Sequence, residues 1–447
     1  MGLSNWFRSS GTDNSSSAHL VGLDLDSGRA KASALRMGKP RRVTLDEPRE
    51  LLHLLISLQK KNPEIGQPGL NLLRTFPHLV CRGFLPALGY PTEWRSPRVR
   101  LDPDGAARLA LERIRSALPS SDALALTLPA YLTQSQVTKV TALCEQVRLR
   151  LRGTAVSALA LAADLATDPA RRQSARGDDG DAAGAVLSFP NRERRHQAAA
   201  GSVGMIIDAD DHALTASLVK FSADEVRMIG YFAITGLGLR VWKERLLDSL
   251  SDRCVRVCRR DPRDNADTEQ ALYEQLDDAL HRARHGQQVA LSVRSASWYQ
   301  DLPHQPDDFD GYCQPMARKA AEAARELSET GDEPPRVIWF TDQAAQLPGL
   351  VRAVRRHSPV RSVTDTLPPD AIALAGARMA GRWLTGSLPR VHLDTAVPLE
   401  PFARSPDQEH PGLGTADEPE QEPDETELTP GAEVEVRPPS ASVREGN

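Results

Sequence analysis

Two short apolar runs in opposite halves of the chain each end on an aspartate and a tight polar turn. The first is Leu20-Val21-Gly22-Leu23-Asp24-Leu25, turning at Asp26-Ser27-Gly28; the second is Val203-Gly204-Met205-Ile206-Ile207-Asp208, turning at Asp210-Asp211-His212. After each turn the chain resumes with an alternating extended segment, 30–35 and 214–221. Apolar runs bounded by turn residues predict buried strands, so each half opens with a strand–Asp–turn–strand unit. Apolar residues at helical spacing predict helices over 102–118, 134–147, 154–166, 240–250, 268–285, 308–327 and 350–356. Short apolar runs at 123–128, 289–293 and 337–340 predict further strands. Strands alternating with helices in both halves make the chain an α/β protein.

Patterning also sets the organisation. Residues 1–18 are polar and Ser-rich and read as a disordered leader; 19–167 form a first lobe and 201–390 a second, joined by an Asp/Gly/Arg/Ala-rich linker at 168–200. Residues 391–402 read as a linker-like segment. From 403 to 447 the chain is Pro, Glu, Asp and Thr with few large apolar residues, the composition of a disordered acidic tail. With 447 residues, 40% hydrophobic and 26% charged, the chain is long enough for two cores. A net charge of −5 gives no reason to expect nucleic acid as a partner. No apolar run is long enough for a membrane span, and no secretion signal is evident, so the cytoplasm is the expected compartment. The five scattered cysteines form no disulfide framework.

Four segments, taken in order, resemble the nucleotide-binding domain of DnaK-type 70-kDa heat-shock chaperones, within the actin-like ATPase superfamily. Gly22-Leu23-Asp24-Leu25 resembles the first phosphate motif. Leu128-Pro129-Ala130-Tyr131-Leu132 followed by Ser135-Gln136 is similar to the family's Val-Pro-Ala-Tyr-Phe strand and ensuing helix. Ile207-Asp208 with residues 214–219 resembles the second phosphate motif, and residues 371–377 around Gly376 the closing helix. Residues 392–399 are a weaker echo of the interdomain linker. The resemblance covers about residues 19–399 loosely and implies two ribonuclease-H-like lobes facing a central cleft. The family's peptide-binding domain has no counterpart.

The resemblance implies functional positions. Asp24 and Asp208 fall where the family holds magnesium and orients attacking water; they are the candidate catalytic and metal residues. Ser27, Gly28, Asp210, Arg284, Thr341, Asp342 and Gly376 are the candidate nucleotide contacts. Yet the glycine-rich turns that let backbone N–H groups approach phosphate are replaced. The family's Gly-Thr-Thr is Asp26-Ser27-Gly28, its Gly-Gly-Gly-Thr is Asp210-Asp211-His212-Ala213, and its Gly-Gly-Ser is Thr341-Asp342-Gln343. Carboxylates beside a polyphosphate repel it. The family's second-hairpin aspartate is Thr215, the glutamate before its Ala-rich helix is missing near Gly153, and its relay arginine is Val137.

The favoured expectation is therefore a degenerate nucleotide-binding-domain relative acting on an unidentified protein partner as an interaction or regulatory module. ATP with Mg, bound and hydrolysed at a rebuilt phosphate site, is the alternative; a structural actin-like subunit is a third. Two local readings accompany it. Asp24, Asp26, Asp208, Asp210, Asp211 and His212 either converge on a divalent cation or, as favoured, lie solvated in an opened cleft. Arg284 and His285 either stack on a base or, as favoured, form a solvated basic helix end.

Overall fold

Both halves begin with the same antiparallel meander. The computed structural model describes residues 18–167, 201–358 and 362–399. In the first half the meander is His19–Leu25, Arg29–Arg36 and Lys39–Val43; in the second it is Val203–Ala209, Leu214–Phe221 and Glu225–Ile234. On the other side of each leading strand lie two parallel strands: Ala123–Leu128 and Gly153–Val156 in one sheet, Val337–Phe340 and Val363–Thr366 in the other. Taking these five strands of each sheet in chain order, both sheets run third, second, first, fourth, fifth, and in the first Leu52–His53 also pairs with Arg29–Arg36. Parallel neighbours need crossover connections, which helices supply. The chain is a mixed α/β protein, as its patterning predicts.

Period-two alternation decides what each leading strand faces. Val21, Leu23 and Leu25 point outward to helices Pro103–Ala117 and Gln134–Gln146; Val203, Met205 and Ile207 point outward to Leu239–Cys258 and Pro306–Glu329. The intervening residues face a central layer, where the Ala-rich helix Ser157–Thr167 and the helix Ala371–Leu384 pack together between the two sheets. The order is helices, sheet, helices, sheet, helices. Gly22 and Asp24 sit on this inward face of one sheet, Gly204 and Asp208 on that of the other.

Gly22 has no room for a side chain. A Cβ there would lie 2.0 Å from the Ala373 carbonyl oxygen and 2.2 Å from the Ala377 nitrogen, so the 371–384 helix rests directly on the strand. Gly376 answers from the helix side, its Cβ direction 3.4 Å from the Gly22 Cα. Gly153 is closed by the Trp383 ring, 2.2 Å from the Cβ position.

Three details differ from the sequence pattern. Residues 154–156 finish a strand, and the helix read over 154–166 starts at Ser157. The single helix expected over 268–285 is interrupted at Gln275. The Gln275 side chain there pairs with the Ser292 backbone, donating to its carbonyl and accepting from its N–H at 2.9 Å each. The segment around 392–399 joins both sheets. His392–Leu393 adds in parallel to Gly153–Val156, and Ala396–Pro398 adds antiparallel to Glu225–Arg227. The leader before residue 18, the linker at 168–200 and the acidic tail lie outside the described residues.

Two measurements test this packing. Gly22→Ala is expected to lower stability by about 3 kcal/mol, because helix backbone rather than a movable side chain blocks the methyl; chemical denaturation checks it. A chain ending at Pro389 is expected to melt several degrees below one ending at Ala403, because it loses fully buried Val397 and the pairing to Glu225–Arg227. Equal melting temperatures would show that the paired segment contributes nothing.

Candidate functional site

The two hairpin turns are built alike and meet. Asp26 N–H bonds the Arg29 carbonyl and Asp210 N–H the Ala213 carbonyl, each at 3.0 Å. Within the first turn the Asp26 carboxylate accepts from Gly28 N–H at 2.7 Å and Arg29 N–H at 2.6 Å. Within the second, Asp210 accepts from His212 N–H and Ala213 N–H, both at 2.8 Å. Such side-chain-to-backbone bonds let aspartate hold a tight turn. Here they also consume the N–H groups that a phosphate hairpin would direct at its ligand.

The turns then bond to one another. Ser27 N–H donates to Asp210 Oδ2 at 3.3 Å, and His212 N–H donates to Ser27 Oγ at 2.9 Å. Tyr131 completes the group, its hydroxyl donating to Asp210 Oδ2 and its ring 5.0 Å from that of His212. Gly28 is packed so closely that a Cβ would stand 2.5 Å from Asp211 Cγ. Gln343 reaches Asp26 Oδ2 at 3.4 Å from the third turn. The acids are not solvated in an opened cleft: Asp24, Asp26 and Asp210 are buried, and Asp208 is half-buried. The favoured solvated reading is corrected on this point, because the turns touch across the seam.

Behind the turns the pattern repeats. Asp24 sits opposite Thr127 of the neighbouring parallel strand, whose hydroxyl donates to Asp24 Oδ1 at 3.1 Å. Asp208 receives the Thr341 hydroxyl at 2.6 Å and its neighbour's N–H, Ala209, at 2.9 Å. Burial raises the Asp24 carboxyl to about 7, with Asp208 adding repulsion and Lys31 opposing it. Burial likewise lifts Asp26 well above the usual carboxylate range, with Asp210 and Asp24 repelling it. Asp208 and Asp210 are also raised by burial, against the hydroxyl bonds from Thr341 and Tyr131. Among the described residues no group of three or more His, Cys, Asp or Glu side chains is arranged to hold a metal ion. The N–H groups of both turns are thus bonded within the chain.

Three sequence-derived candidates lie elsewhere. Arg284, the last residue of its helix, is not solvated on its own: it pairs with Asp342 at 2.6 Å, and Gln346 holds the other Asp342 oxygen at 2.8 Å. Asp342 therefore faces helix Leu276–Arg284 and not the other acids. Gly376 is a packing contact against Gly22. His285, by contrast, is exposed and rests on His281, ring centroids 4.6 Å apart.

Sequence reading missed a second layer of charge. Lys243, almost fully buried, bonds Asp277 at 2.7 Å, and buried Arg29 lies 3.8 Å from the same carboxylate. Burial raises the Asp277 carboxyl, but Lys243 and Arg29 together pull it well below its ordinary value. Burial and Arg29 lower His53 to about 4. Farther out, Arg74 grips Glu244 with two bonds at 2.6 and 2.9 Å, and Gln270 bonds the Leu70 carbonyl at 2.9 Å. Arg29–Asp277, Arg74–Glu244 and Gln270–Leu70 tie the first half to the second, while Lys243–Asp277 lies within the second. The cross-half partners, 170 or more residues apart, leave no local pattern in the sequence. A separate cleft of about 740 Å³, bordered by Arg284, Gln346, Asp307, Asp310 and Arg352, includes none of the seam aspartates. No protein-family model matches the chain, and no curated protein matches it.

The sign of the pH dependence follows from these carboxyls. A carboxyl raised in the folded chain contributes stability that is complete below its unfolded value near 4 and is lost as pH rises through the folded value. For Asp24 that window runs from about pH 4 to about 7. His53 runs the other way, its contribution being lost as pH falls from about 6.5 towards 4. Asp24→Asn is therefore expected to stabilise at pH 8, by up to about 4 kcal/mol, and to be nearly neutral at pH 4. The difference between wild type and variant in denaturation at the two pH values isolates Asp24 from His53. An equal effect at both would remove the buried charge from the account.

Proposed function

We propose that the two halves are actin-like ATPase lobes of the heat-shock-chaperone type, and that their nucleotide cleft has become an intramolecular carboxylate lock. On this reading the chain is a non-hydrolysing interaction or regulatory module whose ligand is another protein. The shared third–second–first–fourth–fifth strand order supports the lobes, as does the pair of aspartates ending both leading strands. So does the helix resting on Gly22, where the resemblance expects a closing helix. A cytoplasmic setting accords with five free thiols, four of them buried, and no described helix is long and apolar enough to cross a membrane.

One observation carries the proposal. The Asp26 and Asp210 carboxylates accept the turn N–H groups themselves, standing where the resemblance would put phosphate oxygens. An added triphosphate would have to displace four such bonds and lie against buried acids. Titration of the full chain with fluorescent ATP and magnesium is expected to show no saturable binding and no magnesium-dependent turnover. Turnover that disappears in Asp208→Asn would replace this reading with that of a working ATPase.

A further inference from the structure

The parallel strands of the first sheet start at one end, and the aspartate turns lie at the other. His19, Ala123 and Gly153 open three neighbouring parallel strands there, and His392 adds beside them. The hairpin joining Arg29–Arg36 to Lys39–Val43 turns at the same end, since Arg36 faces both His19 and Lys39. Four connecting segments are thereby set along one end of the sheet: 36–39, 120–122, 148–152 and 389–391. Arg36 and Lys39 flank the hairpin apex, Arg390 precedes His392, and the loop before Gly153 reads Arg148-Leu149-Arg150-Leu151-Arg152. Alternation turns Leu149 into the core and leaves all three arginines exposed. The other three cations are exposed as well. Among the described residues none of the six forms an ion pair; Arg152 reaches only the Asp122 carbonyl, at 3.4 Å. The four segments hold one acid, Asp122, whose carboxylate accepts the His19 N–H at 2.7 Å, in a chain of net charge −5. Exposed apolar side chains sit among the cations: Met37 at the hairpin apex is 68% exposed, Val391 57% and Leu384 37%. Leu384 ends the helix Ala371–Leu384, whose last turns lie at this end, with Gly381 against Leu20 and Trp383 against Gly153. Met37 is held at φ 51°, a left-handed backbone that glycine or asparagine adopts more readily. Arg36 and Lys39 oppose each other as like charges across the strands. Both features cost stability, and nothing among the described residues offsets either.

We infer that this end of the first sheet docks on an anionic membrane surface. Lysine and arginine are drawn to acidic headgroups, and apolar side chains standing between them enter the interfacial region beneath. A nucleic acid or an acidic protein segment would account for the cations alone. The bilayer surface accounts for the cations and for the exposed Met37, Val391 and Leu384 together. The chain reaches His19 at this same end, and upstream of it the sequence carries Trp6-Phe7-Arg8, residue types that settle at headgroup level. With the four segments set aside, the rest of the chain is net negative, so an anionic surface repels the other faces and selects this one. The aspartate turns stand at the opposite end of the strands, so the inference does not depend on how they are read.

The test is co-sedimentation of the full chain with vesicles of equal parts phosphatidylglycerol and phosphatidylcholine. Saturable binding is expected at about 0.1 M salt and its loss at about 1 M, as the screening length shortens from about 10 Å to about 3 Å. Vesicles of phosphatidylcholine alone are expected to bind none of the chain. Arg150→Gln combined with Arg152→Gln is expected to weaken partitioning about thirtyfold, the share of two cations. Met37→Asn suits the left-handed turn and is expected to weaken it severalfold without lowering the melting temperature. Arg318→Gln combined with Arg325→Gln removes the same charge from the exposed face of helix Pro306–Glu329 and is expected to change nothing. Absence of binding to the anionic vesicles overturns the inference. So does binding that survives the Arg150, Arg152 and Met37 substitutions, or that falls equally with the Arg318 and Arg325 pair. Binding to a DNA duplex or to a polyglutamate peptide, with none to vesicles, overturns it in favour of that partner.

Discussion

Backbone N–H groups turned toward an interior must find acceptors, and the seam between the two halves is organised by how that demand is met. Asp26 and Asp210 each close their own turn with two N–H···O bonds, and Asp210 takes a third from the opposite turn. Because the acceptors are short and belong to the turns, the turns can touch. Because they touch, the carboxylates lose water, and their proton affinities rise. Lys31, Thr127, Thr341 and Tyr131 are then arranged around what is left of their charge and lone pairs. The charged tethers farther out, Arg29–Asp277 and Arg74–Glu244, hold the same two halves in this register.

Local pattern carried a good deal of this. The apolar run at 123–128 and the strand at 337–340 are found as the pattern predicts, and Asp102 caps the helix it was expected to begin, accepting from Gly105 N–H at 2.7 Å. The two Asp-ended strands were legible because burial on both faces leaves an uninterrupted apolar run. What was not legible was everything decided by distant partners. Nothing near Arg284 announces Asp342, 58 residues away, and nothing near Asp210 announces Tyr131, 79 residues away. Clustered acids without visible partners suggest solvent when read along the chain. In the fold, hydroxyls and backbone amides from other elements make burial tolerable, so the same residues sit in the interior.

The central helical layer works by smallness. Helix Ser157–Thr167 is Ala-rich, Ala371–Leu384 meets the first sheet at Gly22, and Trp383 fills the space that Gly153 leaves open. Close approach of backbone to backbone brings many weak contacts within range and leaves few voids. It also makes the layer intolerant of added volume. The two sheets are consequently held at a separation set by the backbones of two helices, and side-chain rearrangement has little freedom to change it.

The strip from His392 to Pro398 gives that separation a mechanical meaning. Two residues are bonded into the edge of one sheet, and three into the edge of the other, with only Asp394 and Thr395 between. A strap this short has almost no slack. Any rotation of one sheet against the other must stretch it, tilt it or peel one of its ends. The strip is thus a caliper across the two halves, and its two pairings fix the angle at which the sheets can lie.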